Sequence, residues 1–183
     1  MKSIAVYCGA SDGARPIYAD AARLLARALV EHNIALVYGG GKVGLMGVIA
    51  DEVLRLGGEA TGVIPKALVE REVGHAGLTR LFVVKDMHER KAMMAELSDG
   101  FIAMAGGMGT LEELFEMLTW AQLGIHAKPI GLLNTEGFYD GLTSFVRHQQ
   151  EEGFVRPAHA ALMNVDADAG ALVKRLREAA GIR

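Results

Sequence analysis

Short, almost uninterrupted apolar runs alternate along this chain with longer segments in which apolar residues return every three or four positions. The runs occupy residues 4–8, 34–38, 60–64, 81–84, 101–104 and 129–133. Apolar runs of that length, without polar alternation, read as strands buried on both faces. Between them, residues 14–31 carry Ala19, Ala22, Leu25, Ala26 and Leu29 at helical spacing, and residues 45–56, 87–97, 111–123, 139–151 and 169–179 also read as helices. Residues 162–165 read as a short edge strand. Strands alternating with helices predict an α/β fold: a single-domain, Rossmann-like, doubly wound parallel sheet flanked by helices. No linker or repeat divides residues 1–183. The one long irregular segment, residues 65–80, contains Arg71, Glu72 and His75 between two glycines. Such a loop in a compact domain is more often functional than idle, so it is expected near a ligand.

Two of the strand-to-helix connections are rich in glycine. Ala105-Gly106-Gly107-Met108-Gly109-Thr110-Leu111-Glu112-Glu113 follows one apolar run and opens an amphipathic segment. Glycines there let the backbone bring N–H groups close to a ligand, and the following helix turns its unpaired amides and positive dipole end the same way. The fitting ligand is a phosphate. The plainer reading is a tight turn with Thr110 and Glu113 as a capping box. A second turn, Gly39-Gly40-Gly41-Lys42-Val43-Gly44-Leu45-Met46-Gly47, follows another run, and two such turns on one sheet point to a nucleotide.

Neither turn matches the better-known nucleotide loops. A dinucleotide fingerprint needs G-x-G-x-x-G after the first strand, where this chain has Cys8-Gly9-Ala10-Ser11, so no redox cofactor is expected. Lys42 precedes Val43 rather than a serine or threonine, which removes the Walker loop. His32, His75, His88, His126, His148 and His159 show no metal-ligand spacing, and no metal site is expected.

Composition narrows the partners. A net charge of −3 from 19 basic and 22 acidic residues, with no long run of either, gives no electrostatic case for polymeric nucleic acid. The single cysteine, Cys8, excludes an internal disulfide and suits a reducing cytoplasm. Met1-Lys2-Ser3 leads straight into the first strand, and no apolar run reaches 18 residues, so neither export nor membrane insertion is expected.

Charged groups fall at the same sheet edge as the glycine turns. Asp86-Met87-His88-Glu89-Arg90-Lys91 opens a helix just after a strand, which places Arg90 near the strand carboxyl ends, where ligands bind in open α/β sheets. Asp86 and Glu89 also fit a capping pattern, which would leave Arg90 and Lys91 solvated. An arginine and Glu113 from neighbouring turns, flanking a phosphate loop, form a plausible site for cleaving a glycosidic bond.

These motifs together resemble the LONELY GUY family of cytokinin riboside 5′-monophosphate phosphoribohydrolases, often mislabelled lysine decarboxylases from the signature P-G-G-x-G-T-x-x-E. Here the signature runs from Ala105 through Glu113, and the resemblance extends to Tyr7-Cys8-Gly9-Ala10-Ser11, Val37 through Gly41, Gly62-Val63-Ile64-Pro65, Met87 through Lys91 and Thr119 through Gly124. It implies a single nucleotide-binding domain that hydrolyses the N-glycosidic bond of N6-prenylated adenosine 5′-monophosphate, yielding free base and ribose 5-phosphate without cofactor or metal. It further implies Arg90 and Glu113 as the catalytic pair. Nucleotide contacts would come from Glu72, Arg90, Lys91, Thr119 and the loop of Gly107, Met108, Gly109, Thr110, Leu111, Glu112 and Glu113. The implied assembly is a homodimer with sites near its interface. An AMP nucleosidase and a non-catalytic carrier of a nucleotide or phosphorylated cofactor remain as alternatives, because fold and phosphate loop alone do not imply turnover. Ala105 departs from the signature proline, and a turn without the pyrrolidine ring is less rigid by some tenths of a kcal/mol.

Overall fold

The computed structural model describes residues 1–72 and 74–181, and side chains for all of these except 70–72. Strands β1 (Ser3–Tyr7), β2 (Ala35–Tyr38), β3 (Ala60–Pro65), β4 (Arg80–Val84), β5 (Phe101–Ala103), β6 (Ile130–Leu133) and β7 (Met163–Asp166) form one sheet in the order β4-β3-β2-β1-β5-β6-β7. Every ladder in it is parallel. The helices are α1 (Ile17–Glu31), α2 (Gly44–Arg55), α3 (Lys66–Glu72), α4 (Met87–Glu96), α5 (Met108–Gln122), α6 (Asp140–Glu151), α7 (Pro157–Ala160) and α8 (Ala169–Ala179).

Burial on both faces explains the uninterrupted apolar strands. One apolar cluster packs Leu25 and Leu29 of α1, Ile49 and Val53 of α2, and Leu172 and Leu176 of α8 against Ile4, Val6 and Leu36. The other packs Met94 of α4, Leu114 and Met117 of α5, and Tyr139 against Ala5, Tyr7 and Phe101. Each fully buried side chain of this size contributes about 1.5–3 kcal/mol relative to exposure. Central β1 has both faces covered, as a strand in the middle of a doubly wound sheet must.

Several boundaries differ from the sequence reading. Residues 65–80 are not irregular throughout, because Lys66–Glu72 forms α3; seven residues are too few to display a helical period. The single turn α7 was not anticipated either, and it begins with Pro157, whose fixed φ suits a first helical position. Helix α1 starts at Ile17, after Pro16. Helix α5 starts at Met108, three residues before the expected point, so the second half of the glycine turn is helix.

The strand order places the winding reversal between β1 and β5. The chain steps outward from β1 to β4 on one side, then returns to pair β5 with β1 and steps outward again on the other. Connections leave the two central strands in opposite directions, opening a crevice beyond their carboxyl ends.

Candidate functional site

A cleft of about 500 Å³ occupies that crevice. Its floor is the end of β1, with Tyr7, Cys8 and Gly9, and one wall is the start of α5, with Gly107, Gly109, Thr110, Glu112 and Glu113. Arg90 of α4 also lines it, and Met46, Leu68, Met87 and Met94 supply apolar surface.

The glycine turn is shaped by close contacts rather than by a cap. Gly107, the N-cap of α5, is extended and has no side chain to bond the first turn, and the helix start lines the cleft, where first-turn amide donors can meet an anion. Thr110 is the third residue of α5, and the Thr110–Glu113 capping box is not formed. Thr110 lies buried under Gly106, where an added Cβ would fall 2.1 Å from Thr110 Oγ1 and 2.9 Å from the Gly9 nitrogen. The Gly9 N–H donates to the Ala105 carbonyl at 3.0 Å. That bond ties the turn to β1 and restrains Ala105 where the family signature has a proline.

At α4 the cap forms, but Arg90 and Lys91 are buried rather than solvated. Asp86 Oδ1 accepts from the Glu89 N–H at 3.0 Å, and Glu89 Oε2 accepts from the Lys85 N–H at 2.7 Å. The hydrogen bond from the Glu89 amide holds the Asp86 carboxyl below its ordinary range. One turn on, Arg90 is 6% exposed. Its Nη2 donates to the Gly39 carbonyl at 3.2 Å and its Nη1 to Met87 Sδ at 3.6 Å. Arg90 Nε is buried without a hydrogen-bond partner among the described residues. A Cβ at position 39 would lie 1.9 Å from Arg90 Nη2, so this glycine is the passage through which the guanidinium reaches the cleft.

That assignment revises the reading of the second glycine turn. Its carbonyls serve protein groups: Gly39 accepts from Arg90, Gly40 accepts from the His75 N–H at 3.2 Å, and Gly41 bridges to Gly74. Among the described residues of this stretch, Gly39 and Met46 line the cleft.

Lys91, adjacent to Arg90, points elsewhere. Its Nζ donates to Glu112 and, at 3.0 Å, to Glu116, and it does not line the cleft. Burial alone would push the Lys91 ammonium down, but the hydrogen bonds to Glu112 and Glu116 outweigh it and hold the group above its ordinary value.

Other expected residues divide by helix face. Arg90, Gly107, Gly109, Thr110, Glu112 and Glu113 line the cleft, whereas Met108 is 85% exposed and Leu111 packs against the core. Thr119 lies further along α5 in a separate groove of about 180 Å³ with Phe115, Leu118 and Met163. The Glu72 side chain lies outside the described residues. Among these residues no group of three or more His, Cys, Asp or Glu side chains could hold a metal, and no helix is long and apolar enough to cross a membrane.

Tyr7 was missed as a cleft residue. It stacks on Phe101 with centroids 6.2 Å apart, and its buried hydroxyl has no hydrogen-bond partner among the described residues. Burial, then the charges of Glu113 and Glu116, holds the phenol well above its ordinary value. Burial likewise pushes the neighbouring Cys8 thiol up and keeps it neutral.

A family model described as "possible lysine decarboxylase" matches residues 46–176. A cytokinin riboside 5′-monophosphate phosphoribohydrolase of Arabidopsis thaliana is 51% identical over 178 residues, spanning 97% of this chain and 84% of its own. A probable enzyme of the same name from Oryza sativa subsp. japonica is 49% identical over 178 residues, spanning 97% and 73%. Among solved structures, a Moco carrier protein from Chlamydomonas reinhardtii matches with a TM-score of 0.70 at 20% identity, over 98% of this chain and 97% of its own. At that identity the likeness shows the fold alone.

Proposed function

The chain belongs to the cytokinin riboside 5′-monophosphate phosphoribohydrolase family, and from that premise we propose that it hydrolyses the N-glycosidic bond of an N6-prenylated adenosine 5′-monophosphate to free base and ribose 5-phosphate. The observation that carries this reading is that Arg90 and Glu113 line one cleft together with the start of α5, whose N-cap, Gly107, has no side chain to cap it.

Cleavage of this bond passes through an oxocarbenium-like sugar, so it needs an anchored phosphate, a carboxylate near the anomeric carbon and help for the departing base. In this reading the first-turn amides of α5 and Thr110 hold the 5′-phosphate. Glu113 stabilises positive charge at the sugar or orients the attacking water. Arg90 positions the nucleotide and stabilises negative charge as it develops. The apolar wall of Met46, Leu68, Met87 and Met94 offers a surface for an N6-prenyl group.

We assign the self-association surface to the groove holding Thr119 and the apolar side chains near it, Phe115, Leu123, Phe145 and Phe154, all of them exposed. In a homodimer Thr119 would meet a nucleotide only across that interface, since within one chain it stands apart from the cleft. A light-scattering mass close to the 19.5 kDa of one chain would remove the dimer. The reading also carries a cytoplasmic location, supported by the single buried thiol, Cys8.

Incubation with N6-isopentenyladenosine 5′-monophosphate, with AMP and with isopentenyladenosine, followed by chromatography, tests the activity. Base and ribose 5-phosphate are expected from the prenylated nucleotide, and the nucleoside should remain nearly intact because it lacks the phosphate, the remote anion whose binding also positions the sugar. Faster release from AMP would make the protein an AMP nucleosidase, and no release from either nucleotide would favour a carrier.

A further inference from the structure

His75 lies in the connection between α3 and β4 and is not among the described residues that line the cleft. It is nonetheless buried, and both nitrogens of its ring are engaged. Nδ1 accepts from the Gly77 N–H at 3.1 Å, so it carries no proton, and Nε2 donates to Asp51 Oδ1 at 2.8 Å. Asp51 stands two turns into α2, with its carboxylate exposed. The main chain reaches the turn that opens the same helix: the His75 N–H donates to the Gly40 carbonyl at 3.2 Å, and Gly74 bridges to Gly41. One residue is thus tied to the β2–α2 turn through its backbone and to the helix beyond that turn through its ring.

The carbonyl one residue back in this turn, that of Gly39, is the one that accepts Arg90 Nη2 at 3.2 Å. Gly40 beside it has a φ of 78°, and three consecutive glycines have little preference of their own for one orientation of their peptide planes. A hold from outside the turn therefore sets where the Gly39 carbonyl points. We propose that His75 is a positioning residue for Arg90: anchored on Asp51, it fixes the glycine turn so that the Gly39 carbonyl stays aimed at the guanidinium. This rests on the role given to Arg90 above. The main-chain bond to Gly40 is open to any residue but proline. What the imidazole adds is the second attachment, on α2, that keeps residues 74–77 seated on the turn.

Exchange of the Arg90 Nε–H with water, followed by NMR and assigned by its loss in Arg90→Lys, tests this whether or not substrate turns over. In His75→Ala the exchange should quicken by at least about tenfold, and kcat/KM should fall by about tenfold. His75→Gln, whose amide can still donate to Asp51, should bring kcat/KM back to within about threefold of the unaltered protein. On an Arg90→Lys background, His75→Ala should add little further loss, because both changes remove the same guanidinium placement. Should His75→Ala fail to fold, Asp51→Ala at its exposed position decides, with exchange expected to quicken by about threefold. A lowered Tm with unmoved Arg90 exchange, in whichever variant folds, overturns the proposal and leaves His75 a merely structural residue. So do losses that simply add in the double variant. Quickened exchange in a protein that releases no base would overturn the hydrolase reading alone.

Discussion

Helices α4 and α5 start at the same edge of the sheet and use their first turns differently. Helix α4 begins with Asp86, whose carboxylate takes the Glu89 amide, whereas α5 begins with Gly107, which has no side chain to cap its amides. A carboxylate at the N-cap and a phosphate at a helix start satisfy the same donors and the same dipole. A helix can therefore fix its own start or receive an external anion there, and these two divide the tasks. Self-capping makes α4 a firm mount for Arg90. The bare start leaves α5 open to a ligand, with Glu113 at the end of its second turn facing the same space.

The largest expected effect separates chemistry from capping. Glu113→Gln should lower kcat by about a hundredfold or more with KM little changed, because the carboxylate acts on the transition state rather than on the phosphate. A loss of thermal stability with unchanged kcat would return Glu113 to a purely structural role. Arg90→Lys keeps the charge and loses the planar fork of donors, so kcat/KM should fall by at least about tenfold. Gly39→Ala should reproduce much of that defect with little change in Tm, since the atom in the way is the end of the Arg90 side chain.

A third experiment makes the start of α5 resemble that of α4. Position 107 is extended and has open space around an added Cβ. Gly107→Asp is therefore expected to raise Tm through a cap of about 1 kcal/mol, and to weaken ribose 5-phosphate binding, read by calorimetry, by about tenfold. Equal affinity in this variant would remove the α5 start as the anion site. The smallest effect is expected from Asp86→Ala, which should lower Tm while kcat/KM stays within about twofold. Because the folded-state carboxyl is held below its ordinary value, the cap's contribution is present above the unfolded value of about 3.9 and is lost as the pH falls through the folded value. The Tm gap between Asp86→Ala and the unaltered protein should therefore close only in acid.

This comparison was only half legible in the chain. The sheet was readable because its strands are apolar without alternation, and the glycine turn because few other uses need that spacing before a helix. At Asp86 and Arg90 the sequence posed a choice, capping or cleft, that the structure dissolves: the cap is what aims the arginine. The carry-over around the signature was uneven because an α-helix rotates about 100° per residue. Gly109, Thr110, Glu112 and Glu113 share the cleft face, and Leu111 between them turns to the core. Tyr7 could not be placed, since an aromatic at the end of a strand buried on both sides gives no sign of which face it takes.

The cleft also lies on a seam in the chain. In the central pairing Ala5 stands beside Phe101, and the amides of Lys2 and Ser3 reach across to the Asp99 carboxylate. Gly9, Gly39 and Arg90 come from before that junction; Thr110 and Glu113 come after it. Such distant pairing carries a high loop-closure cost and belongs to the slow part of folding. A nascent chain emerging as far as β4 can assemble a four-stranded half, yet it holds none of the facing geometry. Catalytic competence is in this sense a certificate of completed folding, and fragments cut near Asp99 would recover it only by joining edge to edge along β1 and β5.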